Sequence, residues 1–224
     1  MKIGINLVGV SYNDGTNGGR YRNYEDSIDN FKHFIINPFL EQGHTVITYL
    51  YSYDSSRKDQ IAKAYPNVKK ATFLSSTFNA AGGGDHTPDG MKIMTAVYLR
   101  SLEFLLDEHL DIVISTRFDI KFFKNPFEEY RYDFTKFNFL WREPEYTHLP
   151  IVNDTFVVFP HNMTDKVISS LIQMETSPAG GVNVAMHNWY LPMVDQVGAN
   201  NVCWVSDDYK TAFTNELYTL TRHE

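Results

Sequence analysis

An α/β fold, with helices on both faces of a mostly parallel sheet, is what this sequence predicts, and three observations predict it. Apolar, β-branched runs alternate with helical repeats through the first half of the chain. Ile112-Val113-Ile114 is the unbroken apolar run of a strand buried on both faces. Polar, glycine-rich loops follow the strand-like segments, as they do where a sheet presents its strand ends to a ligand.

In chain order, Lys2 to Val10 reads as a first strand and Ser11 to Arg22 as a Gly/Asn/Asp-rich loop. Tyr24 to Gln42 has helical spacing, with Ile28, Phe31, Phe34, Ile35 and Phe39 on one face. Pro38 should strain or interrupt that helix, and Gly43 should cap it. His44 to Tyr53 is a second strand, Arg57 to Tyr65 a helix ended by Pro66, and Val68 to Leu74 a third strand. A loop from Ser75 to Gly90 leads into an amphipathic helix, Met91 to Glu108, with Asp89 expected to cap it. Asp111 to Ile120 is the fourth strand. The rhythm then changes: Phe137 to Trp141, Thr155 to Phe159 and Val202 to Val205 read as strands, and Asp165 to Thr176 and Val182 to Val197 as helices. One domain over 1–224 is expected, with a nucleotide-donor half to about residue 120 and a mixed half after it.

Composition narrows the function classes. A 43% apolar fraction supports a buried core, and a net charge of −7 argues against general nucleic-acid binding, which needs a basic footprint. The lone cysteine, Cys203, sits in an apolar run and reads as a small buried filler. Because it cannot form an internal disulfide, and the first apolar run reads as a strand and not a signal peptide, a cytoplasmic location is expected. No run approaches the roughly 20 apolar residues that cross a bilayer, so no transmembrane segment is expected.

The chemistry concentrates at predicted strand ends. The fourth strand ends in Thr116-Arg117-Phe118-Asp119, where alternation projects Arg117 and Asp119 to one side and buries Phe118. A guanidinium can fork onto phosphate oxygens, and a carboxylate can hold Mg²⁺ or Mn²⁺ bridging two phosphates. The third-strand loop offers Asp85 and His86 to a donor sugar or metal. Further on, Glu143, Glu145 and Asp154 accompany Trp141 and Tyr146, a set suited to an acceptor cleft with aromatic platforms for sugar rings. Asp154, which opens a strand, is the first choice of general base, with Glu143 beside it. His187 and the pair Asp207-Asp208 could complete a metal or phosphate site.

The segment from Asp111 through Arg117-Phe118-Asp119 to Phe122 resembles one found in GT-A-like glycosyltransferases that build surface polysaccharides and glycoproteins, including some from bacteria and large viruses. In the wider class a D-x-D motif at the end of the fourth strand binds metal and donor diphosphate. Here Arg117 stands where the first aspartate would be. Asn153-Asp154-Thr155-Phe156 is similar to a second segment of that family, near the acceptor. The resemblance implies a GT-A-like, Rossmann-type fold and transfer of a sugar from a UDP- or GDP-linked donor to a glycan or glycoprotein acceptor. It implies Mn²⁺ or Mg²⁺ on Asp119, the nucleotide against Val8 to Ser11 (hence Val10 and Ser11), and Arg20 or Arg22 reaching phosphate. The competing reading is a noncatalytic nucleotide- or carbohydrate-binding module of the same fold. A metal-dependent phosphate-ester hydrolase is disfavoured because the histidines are scattered.

Overall fold

The computed structural model describes residues 1–13, 22–74, 88–143, 152–176, 188–211 and 214–221, and of residues 88–94 and 175 only the backbone. The first half comprises β1 (Lys2–Val8), the short antiparallel pair β2 (Tyr12–Asn13) and β3 (Arg22–Asn23), α1 (Glu25–Phe31), α2 (Asn37–Glu41), β4 (Thr45–Tyr53), α3 (Lys58–Ala64), β5 (Val68–Leu74), α4 (Pro88–Glu103) and β6 (Ile112–Arg117). The second comprises β7 (Ile120–Phe122), α5 (Pro126–Glu129), β8 (Phe137–Phe139), β9 (Phe156–Pro160), α6 (Thr164–Thr176), α7 (Tyr190–Val197), β10 (Val202–Trp204) and β11 (Tyr218–Leu220).

Seven strands from both halves form one sheet in the order β5-β4-β1-β6-β9-β8-β10. β1 pairs in parallel with β4 and β6, β4 with β5, and β8 with β10. β9 alone runs the other way, antiparallel to both β6 and β8. The expected α/β class and mostly parallel sheet are therefore present. Alternation along the strands divides the core between the two faces. Ile3, Ile5, Leu50, Ile114, Phe156 and Val158 pack under α1, α2 and α3, while Tyr49, Val113, Phe137, Val157 and Phe159 pack under α4, α6 and α7.

Local departures from the expected elements have local causes. The helix around Pro38 splits into α1, a π-helical turn at Lys32–Ile36, and α2, with Pro38 in the first turn of α2. Proline lacks a donor and tolerates a helix start, and the wider turn before it accommodates the ring. Gly43 ends the helix as expected, with a φ of +76° and its amide donating to Leu40 at 2.9 Å. α4 begins at Pro88, so Asp89 lies within its first turn and not before it. α4 also closes at Glu103, five residues short of the expected end, because Leu105, Leu106 and Glu108 bond to carbonyls only three residues back. The fourth strand stops at Arg117. Phe118 and Asp119 form a turn, and β7 continues in a separate pair with β11. Among the described residues no helix is long and apolar enough to cross a membrane.

Candidate functional site

Chain direction through the sheet selects the site. β1 is followed by β4 on one side and, after β5, by β6 on its other side, so the topology switches between β1 and β6. Ligands of open α/β sheets bind in the crevice beyond the carboxyl ends at such a switch. The two strands end together there, with Val8 in register with Arg117. Gly9, at φ +104°, turns the chain out of β1 where a side chain would be strained.

Arg117 and Asp119 do meet, but through the turn that follows β6 and not by the alternation expected of a strand running on to Ile120. Arg117 Nε donates to Asp119 Oδ1 at 2.8 Å and Nη2 to Oδ2 at 3.1 Å, a two-pronged pair. Arg22 Nε approaches Asp119 Oδ2 at 3.7 Å. Both Arg22 and Asp119 are only 4% exposed, whereas Arg117 is 16% exposed. The turn that carries Asp119 is anchored on two sides. Ser27 Oγ donates to the Phe118 carbonyl at 2.6 Å and Thr221 N to the Asp119 carbonyl at 2.7 Å, while the Phe118 ring lies edge-on to Tyr65 in the core. Arg22 arrives on β3, in register with Asn13 of β2, and Tyr24 N closes the pair onto the Ser11 carbonyl at 2.9 Å. Arg57 braces it by lying 4.8 Å over the Tyr12 ring while pairing with Glu25 at 2.8 Å.

The expected divalent metal on Asp119 does not fit this arrangement. Both carboxylate oxygens accept from one guanidinium, a second guanidinium stands beside them, and the side chain is buried. A cation on those oxygens would meet two like charges at close range. Among the described residues no group of three or more His, Cys, Asp or Glu is placed to hold a metal ion.

Because β9 is antiparallel, it starts where β6 ends. Thr116 is in register with Phe156, and Thr116 Oγ1 donates to the Thr155 carbonyl at 2.8 Å. Asn153 and Asp154 therefore enter at the same edge as Arg117. Trp141 to Glu143 also leave β8 there, with Arg142 bridging to Val152 and Asn153 N donating to the Trp141 carbonyl at 3.2 Å. Asn153 is fully buried, and its Nδ2 donates to the Tyr218 hydroxyl at 2.9 Å and reaches Glu143 Oε1 at 3.3 Å. Thr155 Oγ1 donates to Asn153 Oδ1 and also meets the Tyr218 hydroxyl, closing a ring of hydrogen bonds. Burial drives the Tyr218 phenol above its ordinary range. Its bonds to Thr155 and Asn153 oppose this, and the charges of Asp154 and Glu143 add to the rise. Asp154 also adds to the rise that burial imposes on Tyr98 of α4. Both candidate carboxylates thus act on one phenol, and both are partly exposed.

Other expected site residues fare differently. Val10 is packed in the core, and Ser11 is buried with its hydroxyl 2.7 Å from that of Ser52 on β4, so their side chains are scaffold. Trp141 is no sugar platform: it is fully buried and stacked on Tyr218 at 5.7 Å. Asp208 pairs with Lys210 at 3.0 Å on an exposed rim. Cys203, expected as a small buried filler, is partly buried, and its thiol bonds to Asn138 Oδ1 at 3.0 Å. Arg20, Asp85, His86, Glu145, Tyr146 and His187 lie outside the described residues. Tyr218, which links Asn153 to Thr155, carries no local sequence signal; only its strand pairing with β7 brings it in. No protein-family model matches this chain, and no curated protein matches it in sequence.

Proposed function

We propose that the protein is a GT-A-like glycosyltransferase that moves a sugar from a nucleotide-diphosphate donor, UDP- or GDP-linked, to a glycan or glycoprotein acceptor. The observation that carries this reading is the meeting of two chemistries at one sheet edge. The Arg22–Asp119–Arg117 cluster suits the diphosphate, and Asp154 and Glu143 supply carboxylates beside it. The parallel β5-β4-β1-β6 half followed by a mixed half supports the same assignment. Arg117 binds the leaving diphosphate and stabilises the negative charge that grows on it as the glycosidic bond breaks. Asp154 takes the proton of the acceptor hydroxyl, and the Asn153–Thr155–Tyr218 ring fixes its backbone. Glu143, held by Asn153, flanks the acceptor.

The test is acceptor-dependent release of UDP or GDP from a panel of nucleotide sugars with glycan acceptors. Wild-type protein should release the nucleotide, and Asp154→Asn should bind donor but release little. Tight donor binding with no release from any pair would replace this reading with the noncatalytic binding module.

A further inference from the structure

We infer that an aromatic ladder beside β8 and β10, with Tyr209 as its open face, is a carbohydrate subsite that holds a sugar ring of the acceptor at a distance from the ring that reacts. The inference rests on the glycosyltransferase reading for the fate of the bound glycan; that this surface takes a sugar is argued from the ladder itself.

Four side chains build the ladder. Tyr190, the first residue of α7, stacks on Trp204 of β10 with ring centroids 5.0 Å apart. The Arg142 guanidinium lies 5.2 Å over the Trp204 ring and 5.8 Å over that of Tyr209. Arg142 Nη1 also donates to the Tyr209 hydroxyl at 3.2 Å, and the two backbones bridge in parallel. Tyr209 is thus held at its ring, its hydroxyl and its backbone, yet it is 58% exposed, the most open large apolar or aromatic side chain among the described residues. Tyr190, Trp204 and Arg142 are partly exposed beside it. A lone exposed tyrosine is ordinary. One pinned at three points and continuous with a tryptophan and a second tyrosine is a preset surface, which loses little freedom when a ligand covers it.

Chemistry and position select a sugar of the acceptor. An aromatic ring presents a negative face, which suits the slightly positive C–H groups on the flat face of a pyranose. A glucose or N-acetylglucosamine ring carries its hydroxyls at the edge, clear of that contact, and exposed Asp207, two residues before Tyr209, offers oxygens to such hydroxyls. Arg142 bridges Val152 on one side and Tyr209 on the other, so those two residues stand two strand spacings apart, about 10 Å. Asp154 follows Val152 by two residues, at the rim where β9 opens. A sugar on Tyr209 therefore sits about two rings along a glycan from the one whose hydroxyl meets Asp154. The β1–β6 switch that suits the nucleotide lies on the far side of β9, which favours a glycan over a nucleobase on this ladder.

Titration of the full chain with cellotriose, chitotriose and maltotriose, followed by tryptophan fluorescence, tests this. Trp141 and Trp189 are fully buried, so Trp204 is the tryptophan that reports from the surface. At least one of these sugars should give a saturable change at millimolar concentration. Tyr209→Ala should weaken that binding about tenfold, the scale of one aromatic face withdrawn from water, while the far-ultraviolet circular dichroism stays that of the wild type. Tyr209→Phe, which keeps the ring, should restore most of the binding. In transfer assays Tyr209→Ala should raise KM for trisaccharide acceptors by a similar factor and leave that for monosaccharide acceptors alone; a residue that only braces β10 would not divide acceptors by length. Should Tyr209→Ala fail to fold, saturation-transfer NMR of the wild type decides instead: transfer from aromatic protons to the axial C–H protons of the sugar supports the inference, and its absence overturns it. No fluorescence change with any of the sugars, or a change with uridine alone, overturns it as well. Trisaccharide binding that Tyr209→Ala weakens, with no transfer from any donor, supports the inference and replaces the glycosyltransferase reading with the binding module. Transfer with an unchanged KM in Tyr209→Ala at every acceptor length overturns the inference and leaves that reading standing.

Discussion

Removing one oxygen atom, in Tyr218→Phe, should measurably loosen the acceptor side of the site. The ring would keep its stack on Trp141 at 5.7 Å and its edge contact with Phe122 at 6.1 Å, so no large cavity forms. What is lost is the hydroxyl that accepts from Asn153 Nδ2 at 2.9 Å and meets Thr155 Oγ1. Asn153 is fully buried and Thr155 nearly so, so water cannot replace the missing partner. Leaving a buried polar group unsatisfied costs about 1–3 kcal/mol. For a domain of this size each kcal/mol lowers the melting temperature by about 2–4 °C, which gives a fall of roughly 2–12 °C. Scanning calorimetry of Tyr218→Phe, Asn153→Ala and the double variant would measure it, with a coupling between the two sites of about 0.5–3 kcal/mol expected for neighbours in one network. A Tyr218→Phe protein that melts with the wild type, with no coupling in the cycle, would refute the claim that this ring of bonds fixes the Asp154 segment.

Turnover should fall by about 10²–10⁴-fold in Asp154→Asn with donor affinity nearly unchanged, and by less in Glu143→Gln; the reverse order, read from steady-state kinetics, would transfer the base role to Glu143. Burial raises the Tyr65, Tyr98, Tyr132 and Tyr218 phenols above the ordinary value of 10.0. Their stability contribution is therefore whole below about pH 10 and shrinks as pH rises further, because only the unfolded chain ionises readily. Absorbance at about 295 nm should then rise cooperatively with loss of ellipticity, whereas phenols that ionise before unfolding would contradict this burial. Burial alone would raise the Glu108 carboxyl, but Lys69, the Tyr49 hydroxyl and Lys70 together outweigh it and hold the group below the ordinary 4.5. The stability it contributes is present above that pH and lost as pH falls below it, so in urea titrations Glu108→Gln should flatten the acid limb and wild-type acid sensitivity in the variant would count against the pairing.

What the sequence makes legible is mainly what depends on near neighbours. The Ile112-Val113-Ile114 run announces a doubly buried strand, whereas Arg117 meets Asp119 through the turn after β6 and not through the alternation expected of a longer strand. The bond between them is not legible, since Arg-x-Asp serves equally to present two groups to a ligand or to pair them with each other. Trp141 misleads for a related reason: a tryptophan among carboxylates and prolines reads as a loop platform, and only the approach of Tyr218 from β11 turns it into core. Arg22 is one of two arginines in the loop after β1 that could reach phosphate, and nothing local chooses between them. Its burial depends on the β2–β3 pairing, two residues long on each strand, which is too short to leave a periodic signal.

The direction of β9 is the step that joins these pieces into one site. A parallel strand in that position would have its first residues at the far edge of the sheet, and Asp154 would lie about 15 Å or more from Arg117, given a rise of about 3.3 Å per residue. Reversed, β9 opens at the edge where β1, β6 and β8 close, with Thr116 in register with Phe156. The diphosphate-suited arginines and the candidate base then come from separate halves of the sequence yet share one rim. That rim is tied together by a buried bond from Thr116 to Thr155 and by the Tyr218 hydroxyl, so the two halves are coupled through packed groups and not through a mobile linker. It follows that a perturbation in the second half, such as Tyr218→Phe, should alter turnover more than donor affinity, because it loosens Asp154 and leaves Arg117 held by Asp119. A variant that lost donor affinity first would show that the arginine cluster depends on β9 for its placement, and the division of labour between the two halves would have to be redrawn.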